Sequence, residues 1–336
     1  MAIAVNVHHG DLHAAAGARS IVDDVARPFY AFPVFRFVVL VPVNSQRLVF
    51  AGIVAIVCHE ALSGDQLLAA VAVQVGSQQR SMAMNRLACD FVRKGGLGRI
   101  RFAQAVNFTP PKRYPGLAEQ PVPNGLNWDM WLGQAEMRPY NTELFSHWMR
   151  YWDYSGGEMT NWGAHGIDQV QAALGMDATG PVEFWPLADG PENAVAFRYA
   201  NGVVVRLEMP DGELHGGAIF VGEKGRIEIT RNDFRTDPPK LIKELPPQEE
   251  IDKWKRAQWQ AKYHMQDWLE CMRTRKTPLA DVETGHRSIS LCHLVNITRQ
   301  IGRKLKWDPE AERFNDDEQA NRLLSRPRRK GYELPV

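Results

Sequence analysis

The residues best suited to chemistry gather in one segment, Tyr154 to Gly175. A helix starting near Thr160 would put Asn161, His165 and Asp168 at i, i+4 and i+7, on one face. Ile167, Val170 and Leu174 would fall on another face and suit a core. Gly156 and Gly157, just ahead, permit a tight turn or the close approach of a ligand. An imidazole beside a carboxylate can act as a general base, since a pKa of about 6.5 lets it accept a proton at neutral pH. Taken bare, a lone helical histidine is more often structural. Zinc binding by His165 and Asp168 would need further ligands that the sequence does not point to.

Other residues carry weaker signals. Gln78, Gln79 and Arg80 follow a short expected strand, Val71 to Val75, and α/β proteins collect ligands at strand ends. A plain loop role is the alternative. Trp128, Asp129 and Trp131 could line a ligand pocket by stacking or could wedge domains together. Tyr140 and Tyr154 could offer hydroxyls to a polar ligand. His215 and His286 read as structural.

These residues need elements to hold them. Met84, Leu87, Ala88, Phe91 and Val92 recur at helical spacing, with Gly95 and Gly96 as a stop, and Arg99 to Val106 reads as the next strand. Beyond residue 180 the pattern turns to strands: Val182 to Leu187, Ala194 to Ala200 and Val203 to Met209. Asn201-Gly202 is a strong hairpin signal, and Gly222 to Gly225 marks a second hairpin between Ala218–Val221 and Arg226–Thr230. Successive antiparallel strands imply an open sheet with one covered face. Two helices follow, one with an apolar stripe of Ala261, Met265, Trp268, Leu269 and Met272, the other with Ile289, Cys292, Val295 and Ile301. Residues 306–336 read as a surface arm. Its Arg326, Arg328, Arg329 and Lys330 suit a solvated end better than a phosphate site.

Forty basic residues against thirty-nine acidic ones give a net charge of +1, which argues against a dedicated nucleic-acid binder. The four cysteines, Cys58, Cys89, Cys271 and Cys292, are scattered and read as reduced and mostly buried, with no metal cage. No uninterrupted apolar run suits a membrane helix and no secretory leader is visible, so a cytoplasmic protein is expected. Residues 1–70 do not supply the closely spaced glycines of a dinucleotide cradle: Gly10 and Gly17 are too far apart.

From about Gln74 onward the chain resembles the Gfo/Idh/MocA family, in its bacterial branch with a distinctive C-terminal domain. The ordered pieces are Gln74–Ser81, Asn127–Gly133, Arg138–Asn141, Gly156–Asp168, Pro278–His286, Asn296-Ile297 and Lys304–Pro309. The resemblance implies an α/β plus α+β protein. Residues 1–105 would form an atypical or truncated Rossmann-like region (1–70 unmatched). Residues 106–305 would form a substrate and oligomerisation domain with an open, mainly antiparallel sheet covered by helices, and 306–336 the arm. It also implies NAD or NADP as cofactor, a small carbohydrate or polyol substrate and a homo-oligomer, with no nucleic-acid or membrane partner.

The resemblance further implies a helix presenting an Asp-x-x-x-His pair that assists proton transfer. His165 matches the histidine. Asn161 stands in the aspartate position, and an amide cannot take up a proton. Asp168 matches a position beside the histidine, where it would orient the ring or anchor the helix. The expected cofactor contacts are Gln78, Gln79 and Arg80, by their place after a strand end, and the expected substrate contacts Trp128, Trp131 and Tyr154. The family's Glu-Lys-Pro lysine is missing, and Lys224 in the 222–225 turn cannot replace it. A replaced N-terminus or shifted reading frame would account for both departures and would also have removed any export signal. The expected activity is oxidation or reduction of a sugar, inositol or related polyol, impaired by these losses. An NAD-dependent glycosidase and a non-catalytic sugar-binding or oligomer-forming protein are the alternatives.

Overall fold

The computed structural model describes residues 72–332 apart from 191, 211–213, 215 and 257–261. The expectations for residues 1–70, Val71, Cys58, His215 and Ala261 lie outside the described residues. In chain order the helices and strands are α1 (Ala83–Arg93), β1 (Ile100–Val106), α2 (Trp128–Leu132), α3 (Thr142–His147), α4 (Trp162–Leu174), β2 (Glu183–Pro186), β3 (Val195–Arg198), β4 (Val204–Met209), β5 (Ala218–Gly222), β6 (Arg226–Thr230) and β7 (Asp233–Asp237). They continue with α5 (Gln248–Arg256), α6 (Lys262–Thr274), α7 (Val282–Ile301), β8 (Leu305–Asp308), β9 (Arg313–Phe314) and α8 (Glu318–Asn321).

The strands form one nine-stranded sheet in the order β7-β6-β5-β1-β4-β3-β2-β8-β9. Only the β1–β4 pair among these is parallel, so the sheet is open and mainly antiparallel as expected. Asn201-Gly202 does turn β3 into β4, with Gly202 at φ 88°, and Gly222 to Gly225 turns β5 into β6. β1, read from sequence as the end of a nucleotide-binding region, lies in the middle of the sheet between β4 and β5.

Alternation along the strands divides the sheet into two faces. Register places Ala103 beside Val205 and Phe220, and Ala105 beside Leu207 and Ala218. These residues are buried with Ile167, Val170 and Ala173 of α4, Leu291 and Val295 of α7, and Ala88 and Val92 of α1. Each large side chain so buried contributes roughly 1.5–3 kcal/mol. Gly166 lets α4 lie close to the sheet: a Cβ there would sit 3.0 Å from the Gly217 carbonyl oxygen. The alternate positions on the other face carry charge. Gln104 donates to Glu208 at 2.7 Å, Arg206–Glu208 and Arg226–Glu228 pair along their strands, and Arg198 pairs with Glu183 across β3 and β2.

Several expectations are corrected. Residues 72–76 form no strand; Val75 instead donates its N–H to the Ala280 carbonyl, and Trp268 Nε1 donates to the Ala72 carbonyl. The buried stripe of α1 is Met84, Asn85, Ala88, Cys89 and Val92, turned from the expected one, because Asn85 bonds Gln169 and the β6–β7 turn. On α6 the buried residues are His264, Trp268 and Cys271, whereas Met265 and Leu269 face outward. The reason is polar: His264 bonds Ser81 and the Val75 carbonyl, which fixes the inward side of the helix.

α7 buries Ile289, Cys292 and Val295 as read, and the described cysteines are free and buried. The C-terminal arm is docked rather than solvated. Its β8 joins the sheet through β2, Arg326 donates to the Ser155 carbonyl, and Arg329 grips Asp129 and the Gly133 carbonyl. Among the described residues no helix is long and apolar enough to cross a membrane, and no cluster of histidine, cysteine and carboxylates could hold a metal.

Candidate active site

A 3-10 turn, Glu158–Thr160, leads into α4, which starts at Trp162 rather than near Thr160. Asn161 sits between them at φ −101° and ψ −93°, outside the helix. The expected single face for Asn161, His165 and Asp168 is therefore broken. Asn161 is exposed and its amide donates to the Glu158 carboxylate at 2.9 Å, so a carboxylate remains one hydrogen bond from the position where the amide replaces one.

His165 is half-buried on the side of α4 that meets the loop before β5. Gly216 lies against it at φ +76°, and a Cβ there would stand 2.7 Å from the His165 Cβ. Only glycine fits that position without strain. The Trp162 ring meets the imidazole edge-on at 5.8 Å, and the Arg231 guanidinium lies 5.9 Å from the Trp162 ring centre. Arg231, from the turn between β6 and β7, donates to Gln78 Oε1 at 2.6 Å. Gln79 is buried and donates to the Gly216 carbonyl at 2.9 Å, while its Oε1 is buried without a donor among the described residues. His165, Gly216, Gln78, Gln79, Trp162 and Arg231 thus come together from four parts of the chain.

Burial first, and the Arg231 charge second, push the His165 pKa down to about 4. The imidazole is therefore neutral at neutral pH, and burial and the Arg231 charge make it a weaker base than a free histidine until a ligand alters its surroundings. Burial also lowers the Arg231 pKa from its ordinary value.

Asp168 points elsewhere. It is 2% exposed, takes Arg80 Nε on both oxygens at 2.8 and 2.9 Å, and accepts the Ser288 hydroxyl at 2.7 Å. Arg80 reaches Asp177 as well, at 2.9 Å. Burial raises the Asp168 carboxyl above its usual value, against the pull of Arg80 and Ser288. For Arg80, burial opposes the charge, and the two aspartates outweigh it. Of the two readings of Asp168, anchoring the helix matches this geometry: it ties α4 to α7 and to the 3-10 turn Gln78–Ser81.

The aromatic residues form a separate small core. Trp128 stacks on Trp131 at 4.5 Å and donates to the Arg138 carbonyl; Tyr140 meets Trp128 edge-on, and Tyr154 lies 6.1 Å from Trp131. Trp128 is buried, whereas Trp131 and Tyr154 are half-buried. Tyr140 makes a long contact to Thr142, and His286 pairs with Glu312 at 2.8 Å. A cavity of about 210 Å³ lies between α7 and the arm, lined by Trp152, Asp153, His293 and Arg326 and not by His165.

A nicotinamide cofactor can be tested against these residues. The Arg80 charge is satisfied by Asp168 and Asp177, so it does not suit a phosphate. The unfilled Gln79 Oε1 suits an incoming amide or hydroxyl donor. Sequence reading named Gln78, Gln79 and His165 but missed Arg231, Trp162, Gly216 and Ser288. An arginine in a hairpin turn carries no periodic signal.

Comparison with known proteins decides the lineage. The model of the oxidoreductase family C-terminal alpha/beta domain matches residues 112–334. The chain belongs to the Gfo/Idh/MocA oxidoreductase family. No curated protein matches the chain. Among solved structures, an aldose-aldose oxidoreductase from Caulobacter crescentus complexed with glycerol is 14% identical, over 70% of this chain and 64% of that one, at TM-score 0.43. A WlbA dehydrogenase from Bordetella pertussis in complex with NADH and UDP-GlcNAcA is 19% identical, over 69% and 63%, at TM-score 0.42. A myo-inositol 2-dehydrogenase from Lactobacillus plantarum is 15% identical, over 71% and 66%, at TM-score 0.41. The chain thus spans less than two thirds of the length of these relatives.

Proposed function

We propose that this chain is an NAD(P)-dependent oxidoreductase of a sugar, inositol or related polyol, and that the described residues form its substrate side. The observation that carries the reading is His165: a neutral imidazole, half-buried against Gly216, on the helix that matches the family's proton-transfer helix. As the carbinol is oxidised, its hydroxyl proton passes to His165, leaving the carbonyl oxygen. A bound nicotinamide would accept the hydride from the carbinol carbon, so two electrons and one proton leave that centre together with the proton taken by His165. Gln79 would hold the cofactor's amide or hydroxyl through Oε1, with Gln78 beside it; Arg80 supports both by fixing their turn. In this reading residues 1–105 would contain an atypical dinucleotide-binding region without the usual glycine cradle, ahead of the family match.

Asn161 holds Glu158 at the start of α4, and Asp168 sets the helix position. Trp131 and Tyr154 offer the half-buried edge of the aromatic cluster to a sugar, with Trp128 as their support. The charged outer face of the sheet presents arginines and glutamates on neighbouring strands, an arrangement that a second copy of the chain can complement. The deciding experiment is titration of the full chain with NADH and NADPH, followed by tryptophan emission. Saturable quenching is expected; no change up to about 1 mM, the upper end of ordinary enzyme affinities, would sink the cofactor reading.

A further inference from the structure

Arg231 differs from most of the enclosed arginines among the described residues. Arg80 meets Asp168, Arg138 meets Asp153 at 2.7 Å, and Arg287 meets Glu312 at 3.2 Å. Arg299 is saturated by the neutral acceptors Asn193, Asn296 and Asn107. Arg231 has one neutral partner, Gln78, and its Nε is buried without an acceptor among the described residues. Asp233, the acid nearest to it in sequence, is turned to Lys255 at 3.2 Å.

The guanidinium is also held in place. Its turn neighbour Asn232 is buried at φ 57°, donates its backbone N–H to Asn85 Oδ1 at 2.7 Å and donates its side-chain amide to the Trp254 carbonyl at 3.0 Å. Asn85 closes the turn from the other side through the Thr230 carbonyl. Trp162 lies under the guanidinium and links it to His165. A fixed cation that is partly dehydrated and meets no carboxylate among the described residues attracts an anion strongly, because the cost of removing water from the cation has already been met in the fold.

We propose that Arg231 is a specificity residue that binds an anionic group on the substrate, so that the preferred substrate is a sugar or polyol bearing a carboxylate or a phosphate. This rests on the oxidoreductase reading for the word substrate, but the binding itself needs no turnover. A planar guanidinium with free N–H groups suits either oxyanion. The anion would sit beside His165, so the reacting carbon would lie a few bonds from the charged group.

The test uses the full chain without cofactor and three probes: glucuronate, glucose 6-phosphate and glucose. Binding is read by calorimetry, and its place by the NMR signals of the His165 ring and the Trp162 indole. At least one anionic probe is expected to bind about tenfold or more tightly than glucose, the ratio expected of a charged hydrogen bond. Which anionic probe wins separates carboxylate from phosphate. Arg231→Gln should erase the preference, and Arg231→Lys should keep part of it, with both variants melting as the parent does. Equal binding of glucose, a preference that survives Arg231→Gln, shifts confined to residues away from His165 and Trp162, or no binding of any probe up to about 10 mM would each overturn the proposal. The oxidoreductase reading fails separately, by absence of NADH binding.

Discussion

Removing the Asp168 carboxylate alone should be far more damaging than removing it together with its partner. In Asp168→Ala, Arg80, whose side chain is 8% exposed in the parent, keeps Asp177, 34% exposed, and a long contact to the residue-168 carbonyl at 3.5 Å. The lost contacts are two Arg80 Nε contacts at 2.8 and 2.9 Å and the Ser288 hydroxyl at 2.7 Å. Breaking one side of a buried ion pair costs about 3–5 kcal/mol, and the remaining Asp177 contact places this case near the lower end.

The double variant Arg80→Met with Asp168→Leu removes both charges and fills the space with apolar atoms. Burial already disfavours the Asp168 charge more than Arg80 and Ser288 favour it, since its carboxyl lies above the ordinary value. Exchange of the whole pair should therefore cost less than about 1.5 kcal/mol, with Asp177 free to hydrate. The assay is urea unfolding of the parent, the two single variants and the double variant, read by tryptophan emission and far-ultraviolet dichroism. Coupling of about 2 kcal/mol or more between the two sites is expected. A loss under about 1 kcal/mol in Asp168→Ala, or a double-variant loss equal to the sum of the single losses, would refute the anchoring role.

Three further outcomes follow from the same structure. His165→Ala should lower kcat by about 100-fold or more with an unchanged melting temperature, as expected for loss of a general base; equal activity in steady-state kinetics would exclude that role. Gly216→Ala should destabilise by about 1–3 kcal/mol in thermal unfolding, since φ is +76° and the new Cβ meets His165 at 2.7 Å; parent-like melting would contradict the contact. Acid should weaken the fold through His165 and His293, whose pKa values are pushed down to about 4 and about 3. Below about pH 6.5 the unfolded chain binds protons that these buried rings refuse, so stability is full above that pH and falls toward pH 4, by about 1.4 kcal/mol per pH unit for each ring. A flat unfolding midpoint between pH 7 and pH 5 would count against it.

What the sequence revealed was local. Asn201-Gly202 and Gly222 to Gly225 named their hairpins because turn chemistry acts within four residues. The helix around His165 was legible from Ile167 and Val170, both of which are buried. What stayed hidden depends on partners far away in the chain. Met265 and Leu269 look like core residues by spacing, yet His264 turns inward because Ser81 and Val75, nearly two hundred positions earlier, hold it. Asn161 left the shared face because the backbone bends just before Trp162. Arg231 became part of the site through Gln78, 153 positions away, and no local pattern encodes such a meeting.

The place of β1 has a practical bearing on where the chain can be cut. The family match begins at residue 112, after β1 has ended at Val106. A chain shortened to that start would lose the strand lying between β4 and β5, and the sheet would fall into two pieces with no strand pairing between them, linked by residues 209–218 and by the α5–α7 stretch between β7 and β8. Each piece would bare a row of unpaired backbone groups along an apolar strand, Val204–Met209 on one side and Ala218–Gly222 on the other. Such raw edges invite pairing between molecules and precipitation. The smallest soluble unit therefore begins ahead of α1, some thirty residues upstream of the family boundary (about 112 minus 83), even though those residues carry none of the family's matched sequence.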